Sequence, residues 1–175
     1  MGMELPAPGR DVVINGKTRH LRLKAFRPLV TDNLLKAGNT LTQRCFCTNK
    51  NEVIVKMNIE GMVDGQKAGL CHYSKSYAMV GVRQSGKDRN LEFQTNKEKI
   101  TGPAIKGNKV WIKSVWGLDG KSQFSYSTDG RKFTPFGEVY QLEWGYYRGS
   151  RIGIYCFNNI ADAGYIDVDE FIYLY

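Results

Sequence analysis

The stretch Ala78-Met79-Val80-Gly81-Val82-Arg83-Gln84-Ser85-Gly86-Lys87-Asp88-Arg89-Asn90-Leu91-Glu92-Phe93 decides the fold. Ala78, Val80 and Val82 recur at every second position, Ser85-Gly86-Lys87-Asp88 interrupts them, and Leu91 and Phe93 resume the alternation. A period of two places alternate side chains on one face of a strand. A glycine in a short polar turn supplies the positive φ that a tight hairpin needs. The segment therefore predicts two half-buried strands joined by a hairpin.

The same pattern extends outward in both directions. Leu21/Leu23/Ala25, Val53/Val55/Met57/Ile59, Val110/Ile112, Phe124/Tyr126, Ile152/Ile154/Cys156 and Ile166/Val168 all alternate, with turn signals at Asp64-Gly65, Asp119-Gly120 and Asp129-Gly130. No stretch has helical period and length, Val30–Ala37 offering one short turn at most, and no fixed repeat is visible. Roughly ten short strands without helices predict an all-β fold, a two-sheet antiparallel β-sandwich, with hairpins rather than crossovers as its connections. Regular structure is expected over residues 20–175. Residues 1–19, with Pro6, Pro8, Gly9 and Gly16, read as a linker or edge segment.

The 175 residues suit one domain with a core large enough to need no disulfide or metal. The net charge of +8 comes from 25 basic residues scattered among turns and strands, with no Lys/Arg block, so nucleic acid is not the expected partner. No apolar run approaches the ~20 residues that cross a bilayer, and Met1-Gly2-Met3-Glu4-Leu5-Pro6 leads into no signal-peptide core. The expectation is no membrane partner and a cytoplasmic location for the chain as written, or an extracytoplasmic one if it is part of a secreted parent. Cys45, Cys47, Cys71 and Cys156 form no CxxC pair and read as buried free thiols, Cys45 and Cys47 sharing a strand face. With His20 and His72 as the only histidines, neither zinc nor a Cys–His nucleophile is expected.

Strand parity also nominates a surface. If Ala78, Val80 and Val82 face the core, Tyr77, Met79 and Arg83 face away from it. By the same rule so do Trp111 and Lys113, and Gln123 and Ser125. If these consecutive strands lie side by side, the residues form one platform. Sugars offer apolar C–H faces to aromatic rings and hydroxyls to amide and guanidinium groups, so Trp111, Tyr77, Arg83, Lys113 and Gln123 are the expected carbohydrate contacts.

Five segments, in order, carry a family resemblance: Leu41-Thr42-Gln43-Arg44; Asp64-Gly65-Gln66-Lys67-Ala68-Gly69-Leu70-Cys71-His72-Tyr73; Ser122-Gln123-Phe124-Ser125-Tyr126-Ser127-Thr128-Asp129-Gly130; Tyr147-Arg148-Gly149-Ser150-Arg151-Ile152-Gly153-Ile154; and Gly164-Tyr165-Ile166-Asp167-Val168-Asp169-Glu170-Phe171. Together they resemble the C-terminal concanavalin A-like β-sandwich, or jelly roll, of family 43 glycoside hydrolases, the β-xylosidase and α-L-arabinofuranosidase group. The resemblance implies a parent in which a five-bladed β-propeller carries the catalytic carboxylates, with Leu5-Pro6-Ala7-Pro8-Gly9 as the connector to it. It also implies that the sandwich either binds xylan-type chains or lends a loop that closes the propeller's active site. That loop would be Leu34-Leu35-Lys36-Ala37-Gly38-Asn39-Thr40, with Leu34, Asn39 and Arg44 walling a sugar subsite. The loop departs from the family pattern in having no aromatic residue.

The function expected is thus a non-catalytic accessory domain of a hydrolase acting on xylan or arabinoxylan oligosaccharides, requiring no cofactor. Two alternatives stay open. A stand-alone glycosidase would use Asp167 and Asp169, since i and i+2 on a strand lie about 7 Å apart on one face and glycosidase carboxyls sit roughly 5–10 Å apart. Asp167-Val168-Asp169-Glu170 is loosely similar to the catalytic strand of family 16 glucanases, although aspartates stand for glutamates and Glu170 is expected on the other face. The second alternative is a structural interaction domain without sugar binding. The two aspartates also suit a structural calcium, the plainer reading being an aspartate that caps a turn or pairs with Arg151.

Overall fold

The computed structural model describes residues 12–14, 20–145 and 149–175. Within them the chain forms two antiparallel sheets. The first runs β1 (Val12–Ile14), β2 (Leu21–Lys24), β14 (Tyr165–Leu174), β4 (Asn51–Asn58), β9 (Lys109–Trp116), β10 (Lys121–Ser127) and β11 (Thr134–Pro135), with β12 (Tyr140–Gln141) also on β10. The second runs β3 (Thr40–Arg44), β13 (Arg151–Asn158), β5 (Gln66–Tyr73), β6 (Tyr77–Ser85), β7 (Asp88–Thr95) and β8 (Lys99–Ala104). The expected sandwich is present. Val12–Ile14 adds an edge strand inside the segment read as linker or edge, while the Leu5–Gly9 connector and Tyr147-Arg148 lie outside the described residues.

The inner faces meet over one core that includes Leu23, Val53, Val55, Met57, Leu70, Val80, Phe93, Val110, Ile112, Phe124, Ile154 and Ile166, as the parity of the strands requires. β4 and β9 alternate strictly between buried and part-exposed positions, but β5, β6 and β13 are buried over most of their length on both faces. The reason lies outside the sheet. The segment after Pro28 folds across the outer face of the second sheet, and its only regular element is a single 3₁₀ turn, Leu34–Lys36, within the stretch expected to turn once.

Gly65, Gly86, Gly120 and Gly130 all adopt positive φ, as the turn sequences predict. Ser85–Asp88 and Asp119–Gly120 close the β6–β7 and β9–β10 hairpins. Asp64–Gly65, however, carries the chain from β4 in one sheet to β5 in the other, and residues 105–108 carry it back from β8 to β9. The expectation that hairpins alone join the strands is corrected here. Cys45, Cys71 and Cys156 are buried free thiols, but Cys47 is exposed, because β3 ends at Arg44 and strand parity no longer holds beyond it.

Candidate functional site

The crossover at residues 105–108 divides the expected sugar platform. Tyr77 and Arg83 lie on the outer face of the second sheet, whereas Trp111, Lys113 and Gln123 lie on the outer face of the first, on the opposite side of the molecule. The parity was right but the neighbourhood was not, because alternation fixes inward against outward without saying which sheet a strand joins. Tyr77 is moreover buried, its hydroxyl accepting from Gln94 Nε2 at 3.3 Å.

On the first sheet the nominated residues are mostly engaged with the protein itself. Trp111 packs on Gly130, where a Cβ would stand 2.9 Å from the indole, and Lys56 Nζ lies 5.5 Å from its ring. Lys113 Nζ sits 4.3 Å from the Phe133 ring, and Gln123 donates to the carbonyls of Phe124 and Gly137. Asp167 takes Arg22 Nε at 2.7 Å and Nη2 at 2.8 Å on its two oxygens, with His20 Nε2 at 3.5 Å, so its partner is Arg22 and not Arg151. Asp169 lies 3.9 Å from Lys56 Nζ. A bulge between Val168 and Glu170 breaks the strict alternation and turns Glu170 toward the same lysine, at 3.3 Å, which corrects its expected placement on the other face. Among the described residues no three His, Cys, Asp or Glu side chains gather as a metal site would require.

The second sheet's outer face is organised by the covering segment. Leu34 is fully buried in a small cluster with Cys71, Tyr77, Met79, Tyr155 and Phe157, so it plugs the sheet and does not wall a subsite. Asp32, at φ 60, is the polar anchor. Its carboxylate meets Lys67 and Lys99 and accepts from Asn159 Nδ2, while Lys67 also pairs with the buried Glu92. Burial raises the Asp32 pKa, but the hydrogen bonds from Lys67 and Lys99 outweigh it and hold the group below the usual carboxylate range. Buried charges persist only when compensated in this way. Asn39 tethers the end of the segment, donating to the Lys24 carbonyl and accepting from Cys156 N at 3.2 Å through its own carbonyl.

Beside that plug the segment leaves a cleft of about 250 Å³, lined by Ala37, Gly38, Thr40, Thr42, Tyr73 and Arg151, with Ser74, Gly145 and Gly149 completing it. Arg151 lies along the floor, its Nε donating to Thr42 Oγ1 at 2.7 Å and its Nη2 to the Thr42 carbonyl at 3.1 Å. Thr40 Oγ1 is buried without a hydrogen-bond partner. Arg44 stands directly across β3–β13 from Arg151 and also lines a second groove of about 210 Å³ with Phe46, Leu118 and Trp144. The Trp144 indole is 68% exposed and is backed by Gly149, which ties the two depressions into one corner. Of the expected closing-loop residues, only Arg44 thus faces a groove with its side chain free. Thr40 and Thr42 were legible as the outward positions of β3. Trp144 was not, since it sits in an irregular stretch where no periodicity marks a side chain as exposed.

The corner combines an exposed indole, two guanidinium groups and several hydroxyls around two adjoining depressions, each smaller than a typical drug-sized pocket. The sequence profile of the β-xylosidase C-terminal concanavalin A-like domain matches residues 6–174. A β-xylosidase of Formosa agariphila is 33% identical over 142 residues, covering 80% of this chain and 24% of that protein. Among solved structures, a family 43 hydrolase engineered for endo-xylanase and exo-arabinofuranosidase activity superposes with a TM-score of 0.80 at 24% identity, covering 91% of this chain and 35% of that one. A family 43 protein of Bacillus licheniformis gives 0.76 at 19% identity, covering 94% and 34%. The chain therefore spans about a quarter of the curated relative's length.

Proposed function

The chain belongs to the family of β-xylosidase C-terminal concanavalin A-like domains, and on that premise we propose that its Arg151 corner contacts the glycan while a β-propeller catalytic domain performs the hydrolysis. The chain serves as the accessory domain, and the substrate is a xylan-type chain. The observation that carries this reading is the cleft itself, to which Ala37, Gly38 and Thr40 contribute, three residues of the loop that the family resemblance gives as substrate-facing. Trp144 supplies the stacking surface that the loop lacks, Arg151 and Arg44 supply planar donors, and Thr40, Thr42 and Tyr73 supply hydroxyls.

Affinity electrophoresis through gels containing soluble arabinoxylan tests the role directly. The chain is expected to be retarded, and Trp144→Ala or Arg151→Ala to abolish the shift. Trp111→Ala, on the far face, is expected to leave it unchanged. If the chain runs unretarded in every xylan tried, the glycan-contacting role fails. A docking role favoured by the exposed Leu118 and Tyr175 beside Phe46 would then stand in its place.

A further inference from the structure

Arg44 and Arg151 are cross-strand partners on the outer face of the second sheet. Like charges placed opposite each other on a sheet destabilise it unless something lies between them. Lys67 and Arg83, cross-strand partners on the same sheet, are compensated in this way, both facing Glu92, and on the other sheet Arg22 has Asp167 and Lys56 has Asp169 and Glu170. Among the described residues no carboxylate lies within ion-pair distance of Arg44 or Arg151. Glu143, which lines the second groove with Arg44, instead accepts from Ser76 Oγ on its Oε2 at 2.7 Å.

The hydrogen bonding of Arg151 shows what is left to offer. Thr42 occupies the Nε and Nη2 edge of the guanidinium. A guanidinium has five N–H donors in a fixed plane, so the Nη1 group and the second Nη2 hydrogen remain, the end-on fork that matches the two oxygens of a carboxylate. Arg44 makes no side-chain hydrogen bond or ion pair among the described residues; it faces Arg151 across the strands, and its side chain lines the adjoining groove. The adjoining cleft holds the unpartnered Thr40 hydroxyl, and the adjoining groove holds the Trp144 ring.

We infer that the Arg44–Arg151 pair recognises the carboxylate of a uronic acid unit on the glycan, with Trp144 stacking on the sugar ring. This rests on the glycan-contacting role proposed above and names the decoration it selects. A bidentate carboxylate neutralises both arginines at once and satisfies donors the protein leaves open, which a neutral pentose cannot do. The net charge of +8 adds long-range attraction for an acidic chain.

Titration calorimetry on the full chain tests it with three probes of equal length: a neutral xylo-oligosaccharide, one bearing a 4-O-methylglucuronate, and the methyl ester of that uronate. The acid is expected to bind roughly 10- to 100-fold tighter than the ester or the neutral chain, with the gap shrinking as NaCl rises. Arg151→Gln is expected to close the gap. Arg44→Gln is expected to narrow it without disturbing the Thr42 bonds, so a folding defect in the first variant leaves the second decisive. Equal binding of all three probes overturns the carboxylate inference and leaves the sugar reading standing. A gap that survives both substitutions also overturns it, and binding of no probe at all overturns both.

Discussion

The two outer faces of this sandwich carry similar side chains and use them differently. On the first sheet the principal charges are answered from within: Arg22 grips Asp167 through two hydrogen bonds and stacks 3.9 Å from the centre of Tyr165, and Lys56 serves Asp169 and Glu170. On the second sheet the centre is sealed by Leu34 and the Asp32–Lys67–Glu92 cluster, while the corner beside it keeps two arginines and an indole unanswered. A face whose charges pair internally holds the fold together and has little left for a ligand. A face whose donors stay open at one corner, next to a segment anchored by Leu34 and Asp32, is where the proposed contact with glycan is placed.

That contrast can be broken at several points. The largest effect is expected from Lys67→Ala, which leaves Glu92 and Asp32 without their shared cation. A loss of about 3–5 kcal/mol in urea unfolding is expected, together with loss of glycan retardation as the segment lifts. Leu34→Ala should cost about 3 kcal/mol through the cavity it opens, and a value near zero would show that the segment does not seal the face.

The core shared by both sheets supplies a pH test. His72 Nε2 lies 2.8 Å from Ser114 Oγ, and burial pushes its pKa down to about 3. The unfolded chain protonates this histidine near its ordinary value of about 6.5 while the folded chain resists, so stability is complete above that pH and falls as pH drops toward 3. The expected slope from this group is about 1.4 kcal/mol per pH unit, to be read from urea midpoints and absent in His72→Gln.

On the first sheet, a double-mutant cycle of Arg22→Ala and Asp167→Ala should give a coupling of about 1 kcal/mol with no change in glycan binding. The smallest effect is a gain: Arg44→Gln should stabilise the free domain by a few tenths of a kcal/mol while weakening its hold on an acidic ligand. A destabilised Arg44→Gln would show that the pair is structural.

Much of the fold could be read in advance from particular residues. Val53, Val55 and Met57 of β4 and Val110 and Ile112 of β9 alternate and are buried as their period requires. The glycines of the four nominated turns have the positive φ that their sequences anticipate. The site was less legible. Trp111 and Arg83, expected on one platform, fall on different sheets, while Trp144 and Arg151 line adjoining depressions that no local pattern linked. The family resemblance singled out the loop at residues 34–40, yet not that Leu34 would be buried against the second sheet.

What the sequence determined by itself was the strand content, the turns, the family and the inward and outward parity of the strands up to the β14 bulge and the end of β3, because these depend on local backbone preference, a period of two and ordered motifs. Only the tertiary structure decided which strands share a sheet, since the turn after β4 and the link after β8 cross the sandwich where a hairpin would have stayed beside it. It also decided which charges are answered. An ion pair such as Arg22–Asp167 joins positions far apart in the chain, and no local pattern can tell that arginine from the unanswered Arg151.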